Sequence, residues 1–288
     1  SCDMCSNLYM TPAFLYNRNM ELINKKLFLL DMDGTIYLGN DLFDGTKDFL
    51  SYVKEAGGRY IFLTNNSSKS KADYVKKLRS LGVETATEDF FTSVDATAAI
   101  LKKKYESTYR TKKMYVLGTK SLCRQMSEEG FRVTEELTPG IDILLVGYDR
   151  ELNYGKLEDA CFLLKQGVDY FATNPDWVCP TEWGFVPDCG AICQMLEHAS
   201  KRKPHFIGKP KADIALMALE QAGVSKEETL LVGDRLYTDI ACGFNAEIDT
   251  CFVLSGEGTL EDMEKSSVKP TYVMKDIKEL LRRIKYET

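Results

Sequence analysis

The chain has 288 residues, of which 44% are hydrophobic and 28% charged, and its formal net charge is −6. That length suffices for one large domain or two ordinary ones, and the composition is typical of a globular protein with no stretch approaching a membrane span. The sequence contains neither a basic block nor a basic–aromatic stripe, which argues against a nucleic-acid partner.

Cysteine and histidine usage limits the kind of metal site that this chain can build. Nine cysteines are spread along the sequence, with one CxxC at Cys2 and Cys5 and no second pair at zinc-site spacing. We interpret them as reduced thiols of a cytoplasmic protein, an expectation that fits a first segment without the apolar core of a signal peptide. The only histidines are His198 and His205, so we expect a hard, oxygen-ligated metal, with Mg²⁺ as the first candidate.

Apolar runs alternate with amphipathic segments along the chain, which indicates an α/β fold with a parallel sheet. The predicted strands are Leu27–Leu30, Tyr60–Leu63, Met114–Leu117, Ile141–Val146, Tyr170–Ala172, His205–Ile207, Thr229–Val232 and Thr250–Leu254. The helices predicted with defined ends are Thr46–Ala56, Ser70–Leu81, Lys211–Ala222 and Lys275–Lys285. The stretches Lys102–Lys113 and Trp177–Cys189 interrupt the pattern, and the piece between them has its own strands and helices, as an inserted domain would.

Two aspartates follow the first predicted strand directly. Asp31 and Asp33 point to the same side because side chains alternate along a strand, and Gly34 then allows a sharp turn. Two carboxylates about 4 Å apart repel each other by roughly 4 kcal/mol at an effective dielectric constant near 20. Such a pair needs a cation or a retained proton. The alternative is a solvated acidic turn.

Three further polar clusters each follow an apolar run. They are Thr64–Ser68, whose hydroxyl, amide and backbone N–H groups suit an anion, Gly208–Pro210 with Lys209, and Gly233–Asp239 with Asp234 and Asp239. Taken singly, these clusters also fit a helix-capping loop, a surface lysine and an acidic turn. Ligands of open α/β sheets bind at the carboxyl ends of the strands, and we expect all four clusters to lie at that edge.

The ordered motifs of this chain resemble those of a known superfamily. DMDGT at Asp31–Thr35, LTNNS at Leu63–Ser67, GKP at Gly208–Pro210 and GDRLYTD at Gly233–Asp239 are similar to the four motifs of the haloacid dehalogenase superfamily. The long insertion between the second and third motifs is similar to that of its NagD-type phosphatases. The resemblance implies a Rossmann-like parallel-sheet core, residues 1–103 and 190–288, with a smaller α/β cap of the C2 type inserted at 104–189.

The resemblance also implies a chemistry, the Mg²⁺-dependent hydrolysis of small phosphomonoesters such as sugar phosphates, nucleotides or nitrophenyl phosphate. Asp31 would be the nucleophile that forms an aspartyl-phosphate and would also contact Mg²⁺. Asp33 would be the general acid and then the base, with its backbone carbonyl on the metal. This role requires a raised pKa of Asp33, which burial and acidic neighbours would provide.

The remaining motif residues would hold the phosphate and the metal. Thr64, Asn65 and Asn66 would bind the phosphate, and Lys209 would neutralise its equatorial oxygens and hold Asp31 in place. Two carboxylates complete the set implied by the resemblance. Asp234 would be a metal ligand, and Asp239 would lie one layer behind, ordering Lys209 or a metal-bound water.

The inserted cap would close over the site and contact the leaving group. Asn174 and Asp176, beside Trp177, are our candidate for the loop that reads the substrate, and a purely structural turn is the alternative. A homodimer through the cap is left open by the resemblance. Two other functions fit the same motifs, a phosphotransferase or mutase of the same superfamily and a non-catalytic protein that binds a phosphorylated ligand.

Overall fold

The computed structural model describes residues 22–181 and 183–286, so the CxxC at Cys2 and Cys5 lies outside the described residues. The strands are β1 (Leu27–Leu30), β2 (Tyr37–Leu38), β3 (Asp41–Leu42), β4 (Arg59–Thr64), β5 (Phe90–Thr92), β6 (Lys113–Leu117), β7 (Arg132–Thr134), β8 (Ile143–Val146), β9 (Asp169–Ala172), β10 (Val178–Thr181), β11 (Gly184–Pro187), β12 (His205–Phe206), β13 (Thr229–Gly233), β14 (Asp249–Val253) and β15 (Tyr272–Met274).

The helices are α1 (Thr46–Glu55), α2 (Lys71–Ser80), α3 (Ser93–Tyr105), α4 (Lys120–Glu128), α5 (Tyr154–Gln166), α6 (Cys189–Ser200), α7 (Ala212–Ala222), α8 (Ala241–Ala246), α9 (Leu260–Lys265) and α10 (Ile277–Tyr286). A π-helical turn spans Leu236–Ile240. Within the described ranges, no helix has the length and apolar character that crossing a membrane requires.

The main sheet is parallel throughout, in the order β15-β14-β13-β1-β4-β5. β1 and β13 lie at its centre and every residue in both is buried. A sheet that is covered on both faces needs continuous apolar runs, which is what LFLL and TLLVG supply. The carboxyl ends of β1, β4 and β13 therefore lie side by side, and each leads into one of the predicted polar clusters.

A second parallel sheet has the order β12-β9-β8-β6-β7. Alternate residues of its strands face opposite sides, because side chains alternate along a strand. Leu117, Leu144 and Val146 pack with α5 and α6 on one side. The confirmed fold class is thus α/β, with a parallel-sheet core and a second, smaller α/β unit.

The other face of the second sheet shares one apolar core with the main sheet. A single cluster of contacting buried side chains contains Leu27, Leu29, Ile61 and Leu63 of the main sheet together with Met114, Val116, Ile143 and Leu145 of the second. Leu101 of α3 and Ile214 of α7 belong to the same cluster. The two units are therefore packed against each other rather than joined only by linkers.

One strand lies in a different sheet from the one that we expected. β12 pairs with β9 of the second sheet, so the cluster at Gly208–Pro210 follows a strand of the second unit rather than one of the main sheet. The expectation that all four clusters follow strands of one sheet is wrong for this cluster. α6 also packs on the second sheet, and we therefore propose that the inserted unit extends to residue 206, beyond the predicted boundary at residue 189.

The stretch Trp177–Cys189, which the sequence presented as a break, contains an antiparallel hairpin formed by β10 and β11. Pro180 lies opposite Phe185, and Pro187 lies opposite Val178. Proline cannot donate to a β-ladder, but an isolated two-stranded ribbon has open edges where that loss is tolerated. Because both strands contain proline, the sequence pattern did not predict them.

Candidate active site

The first cluster is held by the centre of the main sheet. Asp31 directly follows β1, and its backbone N–H donates to the Val232 carbonyl at 2.9 Å. Asp31 and Asp33 line one cavity together with Thr64 and Lys209, and that cavity has a volume of about 40 Å³. Strand pairing thus brings the carboxylates of the first cluster beside groups that lie far away in the sequence.

Lys209 joins three of the clusters. The residue is 2% exposed, and its Nζ donates to Asp31 Oδ1 at 2.6 Å, to Asp239 Oδ1 at 2.7 Å and to the Leu63 carbonyl at 2.9 Å. Burial alone would lower the pKa of this ammonium, but the Asp239 and Asp31 carboxylates raise it well above its usual value. Lys209 is therefore a fixed positive charge against Asp31.

Three aspartates form a set that could hold a metal ion. Carboxylate oxygens of Asp31, Asp234 and Asp239 all lie within 4.8 Å of one another. Asp234 Oδ2 accepts from the Glu257 N–H at 2.7 Å, whereas Asp234 Oδ1 is buried and has no hydrogen-bond partner among the described residues. A Cβ at Gly34, whose φ is +87°, would lie 2.4 Å from Asp234 Oδ2, so the site requires glycine there. An unsatisfied, buried carboxylate oxygen amid acidic neighbours fits a hard divalent cation.

Burial and mutual repulsion act on this acidic cluster. Burial is the largest cause that raises the pKa of Asp234, followed by the charge of Asp31. Burial and the Asp31 carboxylate raise the pKa of Asp239 to about 6, against the opposing effect of Lys209. These shifts have the direction expected of like charges that share a site without enough positive charge.

Asp33 lies apart from this cluster and differs from Asp31 in its environment. Burial raises the pKa of Asp33, Lys77 opposes that rise, and the Asp31 charge adds to it. The Tyr37 hydroxyl donates to Asp33 Oδ2 over 3.5 Å. Of the two carboxylates in the DMDGT motif, Asp33 is therefore the one whose surroundings favour a retained proton.

The second cluster is a tight loop between β4 and α2. The Thr64 hydroxyl oxygen accepts from the Asn66 N–H at 3.2 Å, and Asn66 Oδ1 accepts from the Ser68 N–H at 2.9 Å. The Asn65 side chain donates to the Lys209 carbonyl at 2.9 Å and accepts from the Lys209 N–H at 2.8 Å. Asn65 thus fixes the backbone that carries Lys209, a structural role beside the phosphate contact that the resemblance implies.

The predicted substrate loop is tied to the main unit. Asp176 is 4% exposed, and it accepts from Asn65 Nδ2 at 2.7 Å and from Asn174 Nδ2 at 2.8 Å. Its Oδ1 pairs with Arg235 at 3.1 Å. Asp176 lines the cavity together with Arg235, whereas Asn174 has no exposed surface and does not line it. Trp177 is half exposed.

Sequence reasoning missed three residues at this site. Arg235 lies inside the GDRLYTD motif and pairs with Asp176 and with Glu257 at 2.8 Å. Asp188 lines the cavity, and burial followed by the Asp176 charge raises its pKa to about 7. Tyr37 lies beside Asp33. The position of Arg235 in a motif was a usable signal, but neither Asp188 nor Tyr37 has a spacing that marks it.

Comparisons with known proteins agree on the family. Residues 28–132 match the family model described as haloacid dehalogenase-like hydrolase, and residues 206–280 match one described as HAD-hydrolase-like. The chain is 35% identical to an acid sugar phosphatase of Staphylococcus aureus strain MRSA252, over 90% of this chain and 98% of that protein.

Solved structures give the same result. A 4-nitrophenylphosphatase from Thermotoga maritima is 40% identical, with a TM-score of 0.86 over 92% of this chain and 99% of that one. NagD from Escherichia coli K-12 is 33% identical, with a TM-score of 0.80 over 88% of this chain and 98% of that one. The likeness thus covers both sheets, including the inserted unit.

Proposed function

The chain belongs to the haloacid dehalogenase-like hydrolases and is a phosphomonoester hydrolase, and we propose that Asp31 is the nucleophile that accepts the phosphoryl group from a small phosphorylated metabolite. The observation that carries this proposal is the contact of Lys209 Nζ with both Asp31 and Asp239, at 2.6 and 2.7 Å. This contact holds one carboxylate oxygen of Asp31 beside a fixed cation, in a site that contains two further aspartates.

In the first half-reaction, an Asp31 carboxylate oxygen forms a bond to phosphorus while the bond from phosphorus to the ester oxygen breaks. The leaving oxygen takes the proton of Asp33. In the second half-reaction, Asp33 takes a proton from water, whose oxygen displaces Asp31 from phosphorus and releases inorganic phosphate. Thr64 and Lys209 would hold the phosphoryl oxygens, since phosphoryl transfer depends mainly on positioning and charge.

We propose Mg²⁺ as the cofactor, held by Asp31 and Asp234 and by the backbone carbonyl of Asp33. The support is the unpaired Oδ1 of Asp234 within the acidic set. The ion would supply positive charge to the phosphoryl oxygens during transfer. Asp239 would keep Lys209 in place rather than bind the ion, because Lys209 and the Arg235 N–H already engage both of its oxygens.

The names of the relatives favour sugar phosphates and aryl phosphates as substrates to test first. In this proposal Asp176 helps to read the leaving group from the inserted unit, while Asn174 positions Asp176. A cytoplasmic location stays a prediction of the sequence, and a homodimer through the inserted unit stays open.

The test is phosphate release from 4-nitrophenyl phosphate by Asp31→Asn in the presence of Mg²⁺. We expect the variant to lose turnover while its circular dichroism and unfolding midpoint stay close to those of the wild type. Asp213→Asn is a matched control, because Asp213 is exposed on α7. Wild-type rates from Asp31→Asn would exclude Asp31 as the nucleophile, and undiminished wild-type rates after chelation would exclude a divalent ion.

A further inference from the structure

A second cavity adjoins the catalytic one. It has a volume of about 330 Å³, and it shares Asp33, Asn66, Cys179 and Pro180 with the catalytic cavity. The catalytic cavity itself is about 40 Å³ and is thus much smaller than the second cavity. The part of a substrate that Asp33 protonates must lie beside Asp33, where the second cavity begins.

The walls of this second cavity are strongly basic. Lys69, Lys77 and Arg150 line it, and among the described residues that line it Asp33 is the only acidic one. Within the described ranges, none of these three cationic side chains forms an ion pair or donates a hydrogen bond to a protein group. Basic side chains at other positions in this fold do find carboxylate partners, as Lys71 does with Asp95 at 2.7 Å.

The packing keeps two of these cations close to each other and to Asp33. The Lys77 ammonium lies 3.7 Å from the centre of the Tyr37 ring, and that ring is fully buried. Burial lowers the pKa of Lys77, the Asp33 charge opposes this, and the Lys69 charge lowers it further. Grouping like charges in a partly buried cavity costs free energy unless an anion joins them.

We propose that Lys69, Lys77 and Arg150 form a subsite for a second anionic group, a carboxylate or a phosphate, on the leaving group of the substrate. The inference rests on the proposed function, because it needs Asp33 to mark the position of the leaving oxygen. It narrows the substrate class to phosphomonoesters whose alcohol or phenol carries its own negative charge. Arg150 contributes from the inserted unit and the two lysines from the main unit, so the subsite spans both.

The experiment compares kcat/KM within matched substrate pairs. One pair is 4-carboxyphenyl phosphate and its neutral analogue 4-carbamoylphenyl phosphate, and the other is propane-1,3-diol bisphosphate and 3-hydroxypropyl phosphate. We expect the wild type to prefer the charged member of at least one pair by about tenfold or more, the size of a modest charge interaction. The pair with the larger preference shows whether the anion is a carboxylate or a phosphate.

The variants are Lys69→Gln with Lys77→Gln, and separately Arg150→Gln. Each should reduce the preference by about tenfold or more. The readout is the ratio of the two kcat/KM values within a substrate pair. The charge of Lys77 also affects the pKa of Asp33, so the loss of Lys77 will change the rate with both members of a pair. Lys76→Gln is the matched control, since Lys76 is an exposed lysine next to Lys77 on α2 and does not line the cavity.

The outcomes separate this inference from the proposed function. If the charged members are not preferred, or if the preference survives in both variants, the subsite is excluded while hydrolysis of the neutral members still supports the phosphatase chemistry. If the wild type hydrolyses neither these substrates nor 4-nitrophenyl phosphate, the proposed function fails and the subsite fails with it.

Discussion

At the scale of single residues, the site gathers more negative than positive charge. Asp31, Asp234 and Asp239 have carboxylate oxygens within 4.8 Å of one another, and the Lys209 ammonium contacts both Asp31 and Asp239. Asp33 stands apart, with a pKa that burial raises. Two aspartates that are two positions apart in the sequence thus have different surroundings, which agrees with the separate roles that we propose for them.

This difference predicts how Asp33→Asn depends on the leaving group. A general acid matters most when the leaving oxygen is basic, so the variant should lose about 10²–10⁴-fold in kcat/KM, which reports the first half-reaction, with 3-hydroxypropyl phosphate and far less with 4-nitrophenyl phosphate. Steady-state rates with both substrates provide the measurement, and Asp213→Asn serves again as the control. Equal losses with the two substrates would show that Asp33 does not protonate the leaving group.

Asp188 predicts a pH dependence of stability. Burial and the Asp176 charge raise its pKa to about 7, well above the value near 4 of an unfolded aspartate. Because the pKa of Asp188 is higher in the folded state, its contribution to stability is fully present below the unfolded-state pKa. That contribution is lost as the pH rises through about 7. Asp188→Asn should therefore be more stable than the wild type at pH 8, by an order of about 1 kcal/mol per unit of pKa shift.

The measurement for Asp188→Asn is the free energy of unfolding in urea at pH 4 and at pH 8. The advantage of the variant should be present at pH 8 and small at pH 4, because at the lower pH Asp188 of the wild type is protonated in the folded state and about half protonated in the unfolded state. A difference that is the same at both pH values would mean that the substitution acts through packing and not through the charge.

At the scale of elements, the motif loops are joined to one another by side chains. Asn65 connects the loop after β4 to the strand end that carries Lys209, and Arg235 connects the turn after β13 to Asp176 of the inserted unit. Gly208, at φ +72°, permits this approach, since a Cβ there would lie 2.7 Å from Asn65 Oδ1. Side-chain contacts thus hold the predicted substrate loop against the site.

We expect Arg235 and Asp176 to be energetically coupled. The pair is largely buried, with side-chain exposures of 13% and 5%, so removing either partner leaves an uncompensated charge. Arg235→Gln and Asp176→Asn should each destabilise the protein, and the double variant should lose less than the sum of the two, by about 1–3 kcal/mol. Urea unfolding of the four proteins completes the cycle, and additive effects would show that the ion pair does not join the two units.

The elements that carry the motifs could be predicted from the sequence, and several others could not. β1 and β13 are continuous apolar runs, which marks a strand that is buried on both faces. β5, β7 and β15 have three residues each and lie towards the edges of their sheets, so they offer too little periodicity to recognise. β12 was recognised as a strand, but its sheet was not, because a strand of two residues carries no information about its neighbour.

The contacts around the site were less predictable than its motifs. Motif order indicated which residues to examine, whereas the use of Asn65 and Asn174 as structural donors depends on pairings across more than a hundred residues or within a buried loop. Lys77 is one of several lysines on α2, and nothing in its spacing distinguishes it from Lys76. Only the fold shows that Lys77 borders a cavity and that Lys76 does not.

At the scale of the whole molecule, the two units share an apolar core. Leu101 of α3 belongs to a cluster that contains strands of both sheets, so a large swing of one unit against the other would expose buried surface. The hairpin of β10 and β11 is only partly buried, and Cys179 and Pro180 of that hairpin line both cavities. Movement of this hairpin would therefore expose less buried apolar surface than separation of the units.

The shared core predicts one cooperative unfolding transition. The chain has two tryptophans, Trp177 and Trp183, both next to or within the hairpin, so fluorescence reports on the inserted unit and far-UV circular dichroism on the whole. The two guanidinium titrations should coincide. Leu101→Ala, which removes a fully buried side chain, should lower stability by about 2–5 kcal/mol and shift both curves together. Separate curves, or a shift seen by circular dichroism alone, would contradict a single core.

The pairing of β12 with β9 has a consequence for engineering chimaeras of this chain. In a graft that exchanges the inserted unit at residue 189, the recipient's β12, which precedes Lys209, must pair with β9 of a foreign sheet. A mismatch in the register of that pairing would move Lys209 away from Asp31. Crossover points placed after Phe206 avoid the problem, because β12 is then transferred together with the β9 strand of its own protein.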